Sequence, residues 1–152
     1  MDPLEILRRE HSLIQKYISD LDEMTYSVSV NVRDLSFLFK EVMRFLEQHE
    51  NKEELLFEVL AEAGIEIPVD NLKVGHGGLK EKSDSVLEVL ERGDEEEIKS
   101  VLYGACAELV DRIKAHLLAE ENVLGKVPWN TLDKKTIEKI ELLQIIPSRR
   151  LL

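Results

Sequence analysis

The sequence contains one cysteine, Cys106, and this scarcity excludes an internal disulfide framework. A chain without disulfides suits a reducing compartment, so we expect a cytoplasmic protein. Long apolar runs are also missing: no stretch approaches the roughly 20 apolar residues that span a bilayer. The opening MDPLEILRREH is charged and lacks the apolar core of a signal peptide. Because the net charge is −11, nucleic acid and anionic membranes are not expected partners.

Alternating apolar and polar residues, which would indicate strands, are not sustained anywhere in the chain. Apolar residues recur instead at helical spacing, and the chain is long enough to bury a core. Asp2 and Pro3 can start a first helix, which the SVSVN stretch interrupts. Three more long helices and a short one are predicted, at about residues 31–63, 70–93, 94–125 and 132–145.

These helices predict an all-α fold, an up-down-up-down four-helix bundle with a short extra C-terminal helix. We assign residues 1–127 to the bundle and residues 128–152 to a C-terminal helical extension. Ile137, Ile140 and Ile145 of that extension could cover one end of the bundle, with Trp129 as the anchor. The alternative is that the extension binds a protein partner or a second copy of the chain.

Each of the four long helices carries one of the four histidines, and each histidine lies on the apolar face. Two glutamates follow histidines at i+4 and share their faces. With a rise of about 1.5 Å per residue, all of these side chains lie at a similar depth in the bundle. The candidate ligands are His11, His49, Glu53, His76, His116 and Glu120.

The same plan occurs twice along the chain. His11 and His49 are separated by 38 positions and His76 and His116 by 40, and each second histidine is followed by glutamate at i+4. Two equivalent helical hairpins imply a pseudo-twofold bundle with the site on its axis. Two metal ions related by that symmetry are the expected occupants.

A single histidine on an apolar face is more often a hydrogen-bonded structural residue than a ligand. Buried glutamates are harder to explain in this way, because an unpaired buried carboxylate costs several kcal/mol. No lysine or arginine recurs beside these residues on the apolar faces. Imidazole and carboxylate without thiolate favour iron, manganese or zinc, and two carboxylates able to bridge favour a di-iron centre.

The duplicated pattern His11…His49-x3-Glu53 and His76…His116-x3-Glu120 resembles the hemerythrin-like, HHE cation-binding domains, over residues 1 to about 127. The resemblance implies two non-haem irons with terminal histidines, bridged by Glu53 and Glu120. Glu121 could replace Glu120, since some relatives place the last carboxylate at +5. Ferritin-like bundles match less well, because they use Glu-x-x-His. The residues three positions before the histidines are Arg8, Leu46, Lys73 and Ile113.

One position departs from the oxygen-carrying members, which usually have a fifth histidine where this chain has Lys80. The third-helix histidine is also surrounded by Gly75, Gly77 and Gly78, which permit a close helix approach or make the helix irregular. Both features argue against a dedicated oxygen store and for a more open iron.

The favoured function is a di-iron protein that handles or senses O2, NO or a redox or iron signal. An alternative is a helical interaction or regulatory domain with a structural or regulatory metal. A weak di-iron oxidase or peroxidase is a third possibility, so a binding or sensing role is preferred to an enzyme. Cys106 is interpreted as core filler, with redox sensing as the alternative.

Overall fold

The computed structural model describes residues 3–25, 31–101, 104–105 and 107–145, and every regular element in these ranges is helical. The prediction of an all-α fold is therefore confirmed. Within the same ranges, no helix is long and apolar enough to cross a bilayer. The elements are α1 Pro3–Thr25, α2 Val32–Glu62, α3 Val69–Arg92, α4 Glu95–Val101, α5 Ala107–Gly125, a 3-10 turn Trp129–Thr131 and α6 Lys134–Ile145.

Side-chain caps and glycines define several of the helix boundaries. The Asn31 side chain accepts a hydrogen bond from the Asp34 backbone N–H at 3.2 Å and caps α2. Gly64 and Gly93 follow α2 and α3 with φ of +87° and +73°, left-handed conformations that favour glycine. Asp94 accepts a backbone hydrogen bond at 3.1 Å at the start of α4. The predicted cap at Asp2 and the SVSV part of the first connection lie outside the described residues.

Helices α1, α2, α3 and α5 form a bundle in which α1 and α3 each pack against both α2 and α5. Its core has two apolar clusters, one around Ile18 and Ile113 and one around Phe57 and Leu124. Along α1 and α3 the chain runs from the cluster around Phe57 to the cluster around Ile18, and along α2 and α5 it runs from the Ile18 cluster to the Phe57 cluster. The polar candidate residues lie between the two clusters.

The predicted fourth long helix differs from the observed one. The structure has α4 and α5, with π-helical backbone at residues 104–105 between them. The spacing of Ile98, Ala105 and Leu109 predicts that Ala105 lies on the apolar face of this helix, but its side chain is exposed, so that prediction is wrong. A π turn adds one residue to the helical repeat and shifts the apolar face. Ile98 before it and Leu109 after it are both buried, while Leu102 and Cys106 lie outside the described residues.

Helix α6 packs against α1 and α2 and covers one end of the bundle. Ile140 is buried in the apolar cluster around Phe57, whereas Ile137 is 39% exposed. The Trp129 indole is partly buried there and donates a hydrogen bond to the Leu124 carbonyl at 3.1 Å. The Ile145 side chain lies outside the described residues. The extension therefore shares a core with the bundle, and its binding to a partner stays a prediction.

Because Ile140 is buried and Ile137 is not, truncating the two side chains should have unequal effects. We expect Ile140→Ala to lower the free energy of unfolding by about 2–5 kcal/mol, the usual range for emptying a buried aliphatic site. The matched change Ile137→Ala, three residues earlier on the same helix at a position that is 39% exposed, should cost much less. Urea unfolding followed by circular dichroism measures both, and equal losses would show that α6 does not dock as described.

Candidate metal centre

A polar layer crosses the bundle between the two apolar clusters. Each bundle helix contributes to it at a position where its apolar face is interrupted: His11 lies between Leu7 and Ile14, and His76 between Leu72 and Leu79. The side chains of the layer are buried, apart from that of His116, which is 12% exposed. They are His11, His49, Glu50, Glu53, His76, His116 and Glu120.

A first group of ligand atoms is formed by His11, His49, Glu53 and Glu120, all within 4.8 Å of one another. The Nε2 atoms of the two histidines are 3.0 Å apart and both face Glu53 Oε1, at 2.8 and 2.7 Å. The i+4 spacing in α2 explains why His49 and Glu53 project together. All four side chains are at most 1% exposed.

A second group is formed by Glu50, His76 and His116, whose ligand atoms also lie within 4.8 Å of one another. The two imidazole rings meet edge to face with centroids 4.7 Å apart, as do those of His11 and His49. Glu50 is only 7% exposed. It follows His49 directly on α2 and so faces the neighbouring helix α3.

Two glutamates connect the groups. Glu120 directs Oε2 towards His11 Nε2, at 3.4 Å, and Oε1 towards His76 Nε2, at 3.2 Å, and Oε1 also contacts His116 Nε2. Glu53 directs Oε1 towards the first group, and its Oε2 lies 3.9 Å from His76 Nε2. Each carboxylate therefore offers one oxygen to each side, as a bridging ligand would.

A further set of carboxylates lies behind three of the histidines, against the outer ring nitrogen Nδ1. Glu10 contacts His49 at 2.7 Å, Glu54 contacts His76 at 2.9 Å, and Glu121 contacts His11 at 3.1 Å. A carboxylate at Nδ1 fixes the proton on that atom and leaves Nε2 as the free ligand. Glu10 is held in turn by Lys52 at 2.5 Å. The outer carboxylates therefore orient three imidazoles towards the centre.

The buried carboxylates strongly favour positively charged groups beside them. Burial lowers the pKa of His11, but the nearby Glu120 and Glu53 carboxylates outweigh it and raise that pKa to about 9. The pKa of His49 is raised well above its usual value in the same way, against the effect of burial. Burial raises the pKa of Glu120, but hydrogen bonds to Glu53 and the histidines lower it overall. Without a cation, the histidines hold protons to balance the carboxylates.

Within the described part of the chain, three buried carboxylate oxygens have no hydrogen bond. They are Glu50 Oε1, Glu53 Oε2 and Glu120 Oε2. Burial also raises the pKa of Glu50 to about 7, which is a sign of a carboxyl group without sufficient partners. Unsatisfied oxygens that converge with imidazole nitrogens fit a metal ion, and the absence of thiolate among them fits iron, manganese or zinc.

The structure brings all six predicted ligands together in this layer. The two glutamates that the sequence left as alternatives differ in position: Glu120 is fully buried between the groups, whereas Glu121 is 35% exposed and its Oε1 lies 3.1 Å from His11 Nδ1. Lys80 is 64% exposed and its Nζ lies 3.8 Å from Glu47 Oε1, outside the layer.

Sequence reasoning missed Glu50 and Glu10. A signal for both existed, because Leu7, Glu10 and Ile14 have helical spacing, as do Leu46 and Glu50. On its own helix, each of these glutamates lies beside the face that carries the histidine. This position is buried only because another helix of the bundle packs against it.

Gly75 explains one of the three glycines around His76. A Cβ atom at this position would lie 3.0 Å from Cε1 and 3.2 Å from Nδ1 of His116, which is closer than ordinary contact. Glycine thus lets α3 approach the imidazole on α5. Gly77 and Gly78 have no atom within 4 Å of such a Cβ.

We expect Gly75→Ala to displace the His116 ring and weaken metal binding about tenfold to hundredfold, the range seen when groups that orient a metal-binding imidazole are altered. Gly78→Ala is the matched control, because it gives α3 the same gain in helix propensity without a contact. Metal titration of the two variants measures the difference. Equal affinities would show that the close approach at Gly75 does not position His116.

A comparison with protein-family models gives an independent result for the whole layer. The model described as "Hemerythrin HHE cation binding domain" matches residues 2–127, which include all six predicted ligands and Glu50. Neither a curated protein nor a solved structure matches the chain. The match covers most of the chain, and its bounds agree with the four bundle helices. This chain therefore belongs to the hemerythrin HHE cation-binding domain family.

Proposed function

We propose that this protein is a non-haem di-iron protein that binds or senses a small ligand such as O2 or NO. The observation that carries the proposal is the division of the polar layer into two ligand groups that share Glu53 and Glu120. One group by itself would support a single ion. Two groups with two carboxylates facing both sides support a pair of ions.

The first ion would be held by His11 and His49, and the second by His76, His116 and Glu50, with Glu53 and Glu120 between them. Two divalent cations would more than balance the three buried carboxylates. Iron is favoured over manganese or zinc because imidazole and bridging carboxylates are typical of di-iron sites. When bound, the irons supply redox chemistry and open positions for a small ligand.

The chain's own residues perform the remaining tasks. Glu10, Glu54 and Glu121 keep a proton on the Nδ1 atoms of three histidines and so present Nε2 to the metals. The apolar clusters on either side exclude water from most of the layer. The first group is fully enclosed, whereas the second lies beside a solvent-facing cavity, so an external ligand would bind on the second side.

A second candidate function is that of a regulatory domain in which metal loading itself is the event. The ligands come from all four bundle helices, α1, α2, α3 and α5. Without the ions, protonated histidines would have to balance the carboxylates between those helices, and metal binding would therefore be coupled to stability. This alternative uses the same site. The two candidate functions differ in whether the protein responds to a small ligand or to metal loading itself.

The role of Glu50 provides a sharp test of the two-ion site. We expect protein purified without a chelator or a nickel column to contain about two metal ions per chain, mainly iron. Glu50→Gln removes a ligand from the second position alone, so its content should fall to about one ion per chain. Elemental analysis of the purified proteins measures both values.

The matched control is Glu47→Gln, which makes the same chemical change one turn earlier on α2, where the side chain is 60% exposed. This variant should retain both ions. A wild-type protein with one tightly held zinc ion, or one indifferent to iron, would contradict the proposed function. Loss of both ions in Glu50→Gln would contradict the separate roles of the two groups.

A further inference from the structure

Two outer carboxylates follow the pseudo-twofold symmetry of the polar layer. In each half of the chain, the glutamate five positions after the second histidine contacts the first histidine of the other half. Glu54 lies 2.9 Å from His76 Nδ1, and Glu121 lies 3.1 Å from His11 Nδ1. The two carboxylates are also similarly exposed, at 29% and 35%. A difference between the two metal positions therefore has to come from other residues.

A third outer carboxylate belongs to the first half of the chain. Glu10 on α1 lies 2.7 Å from His49 Nδ1, and its other oxygen lies 2.5 Å from Lys52 Nζ. His49 and Lys52 are both on α2, so this row of three side chains joins two helices. The Glu10 and Lys52 side chains are only 10% and 16% exposed, in a small recess lined by apolar side chains of α1, α2 and α6. Because water is largely kept from the pair, salt screens it little.

The second half of the chain has no counterpart of this row. At the position equivalent to Glu10 it has Gly75, and at the position equivalent to the lysine it has Ala119. Gly75 leaves room for the His116 ring but has no side chain that could orient it. Within the described part of the chain, His116 contacts a carboxylate from Nε2 and none from Nδ1. The direction of its ring is therefore less firmly fixed than that of His49.

The two ligand groups also differ in their access to solvent. All four side chains of the first group are at most 1% exposed. In the second group, Glu50 and His76 line a cavity that opens to solvent, and His116 is 12% exposed. An ion leaves such a site when a ligand turns away and water or a competing ligand enters. Enclosure and a fixed imidazole both oppose this exchange at the first position.

We propose that Glu10 and Lys52 are positioning residues for His49 that make the first metal ion slow to exchange, while the second ion exchanges with metal in solution. This role rests on the proposed function of the site and adds regulation to it. Occupancy of the second position alone then follows the supply of metal, and the first ion stays bound throughout. The number of ligands by itself predicts the opposite order, because the second position has three residues of its own and the first has two.

The order of exchange is measured with ferrozine, a chelator that becomes coloured when it binds ferrous iron. Under anaerobic, reducing conditions, the wild-type protein loaded with two irons should release one quickly and one slowly, in two phases of equal amplitude. Glu50→Gln, which changes a ligand of the second position, should show the slow phase alone. Release of both irons in a single phase, or fast release from Glu50→Gln, would overturn the difference between the positions.

The role of the lysine is tested by removing its charge while keeping its apolar stem. Lys52→Met should speed the slow phase about tenfold to hundredfold, the range by which groups that orient a metal-binding imidazole change metal affinity, and leave the fast phase unchanged. Lys52→Arg, whose guanidinium can still bind the carboxylate, should keep the slow phase close to that of the wild type.

The matched control is Lys82→Met, which removes the same charge from another pair between two bundle helices. Lys82 Nζ lies 2.7 Å from Glu108 Oε1, but this pair joins α3 to α5 six residues beyond His76, and its side chains are 33% and 52% exposed. Neither phase should change in this variant. If Lys52→Met does not fold, as circular dichroism would show, Glu10→Gln takes its place, because it keeps the shape of the side chain and removes its charge.

Iron content is measured first for every protein, so that two failures are kept apart. A wild-type protein that does not hold two ions contradicts the proposed function. In a two-ion protein, an unchanged slow phase in Lys52→Met or in Glu10→Gln overturns the positioning role. Equal acceleration of both phases overturns it as well, because that result indicates a general loosening of the bundle and no specific effect on His49.

Discussion

The carboxyl groups of Glu50, Glu53 and Glu120 lie in the middle of a helical bundle, and their negative charge has to be balanced there. An unpaired carboxylate in such a place would cost several kcal/mol, which is comparable to the whole stability of a small domain. No arginine or lysine enters the layer from the described residues, and the facing groups are imidazoles. The rest of the site follows from this constraint, since a cation shared by imidazoles and carboxylates resolves it.

The apolar clusters on either side of the layer make an unbalanced carboxylate charge costly. They remove the carboxylates from water on both sides, and the helices that form them also carry the proposed ligands. The outer carboxylates then determine the direction of the imidazoles, with Lys52 fixing Glu10 behind His49. The orientations of the His11, His49 and His76 rings are therefore set by contacts that reach the surface of the bundle. Changes at that surface can alter the site without touching a ligand.

Much of this arrangement could be predicted from the sequence, because it depends on local periodicity. The i+4 spacing of His49 and Glu53 places them on one face of any helix, and Gly64 and Gly93 end helices through backbone conformations that glycine favours. Features that depend on two helices could not be predicted in this way. Glu50 is buried only because α3 packs beside it, and the need for glycine at Gly75 arises from the approach of α5.

The π-helical backbone at residues 104–105 is a different case, since no local sequence pattern indicated it. The spacing of the histidines and glutamates along the sequence also does not identify the metal, because iron, manganese and zinc accept the same side chains. In both cases the individual residues are compatible with more than one result: α- or π-helical backbone in the first, and iron, manganese or zinc in the second. The folded protein is needed to decide between them.

X-ray absorption spectroscopy at the iron edge tests the central claim most directly, because it reports the neighbours of each iron without a crystal. The account predicts nitrogen and oxygen ligands, scattering from imidazole rings, and a second iron at about 3.5–4 Å, the separation typical of carboxylate-bridged metal pairs. An iron centre with no metal neighbour, or one with a sulfur ligand, would contradict the proposal that two ions share Glu53 and Glu120.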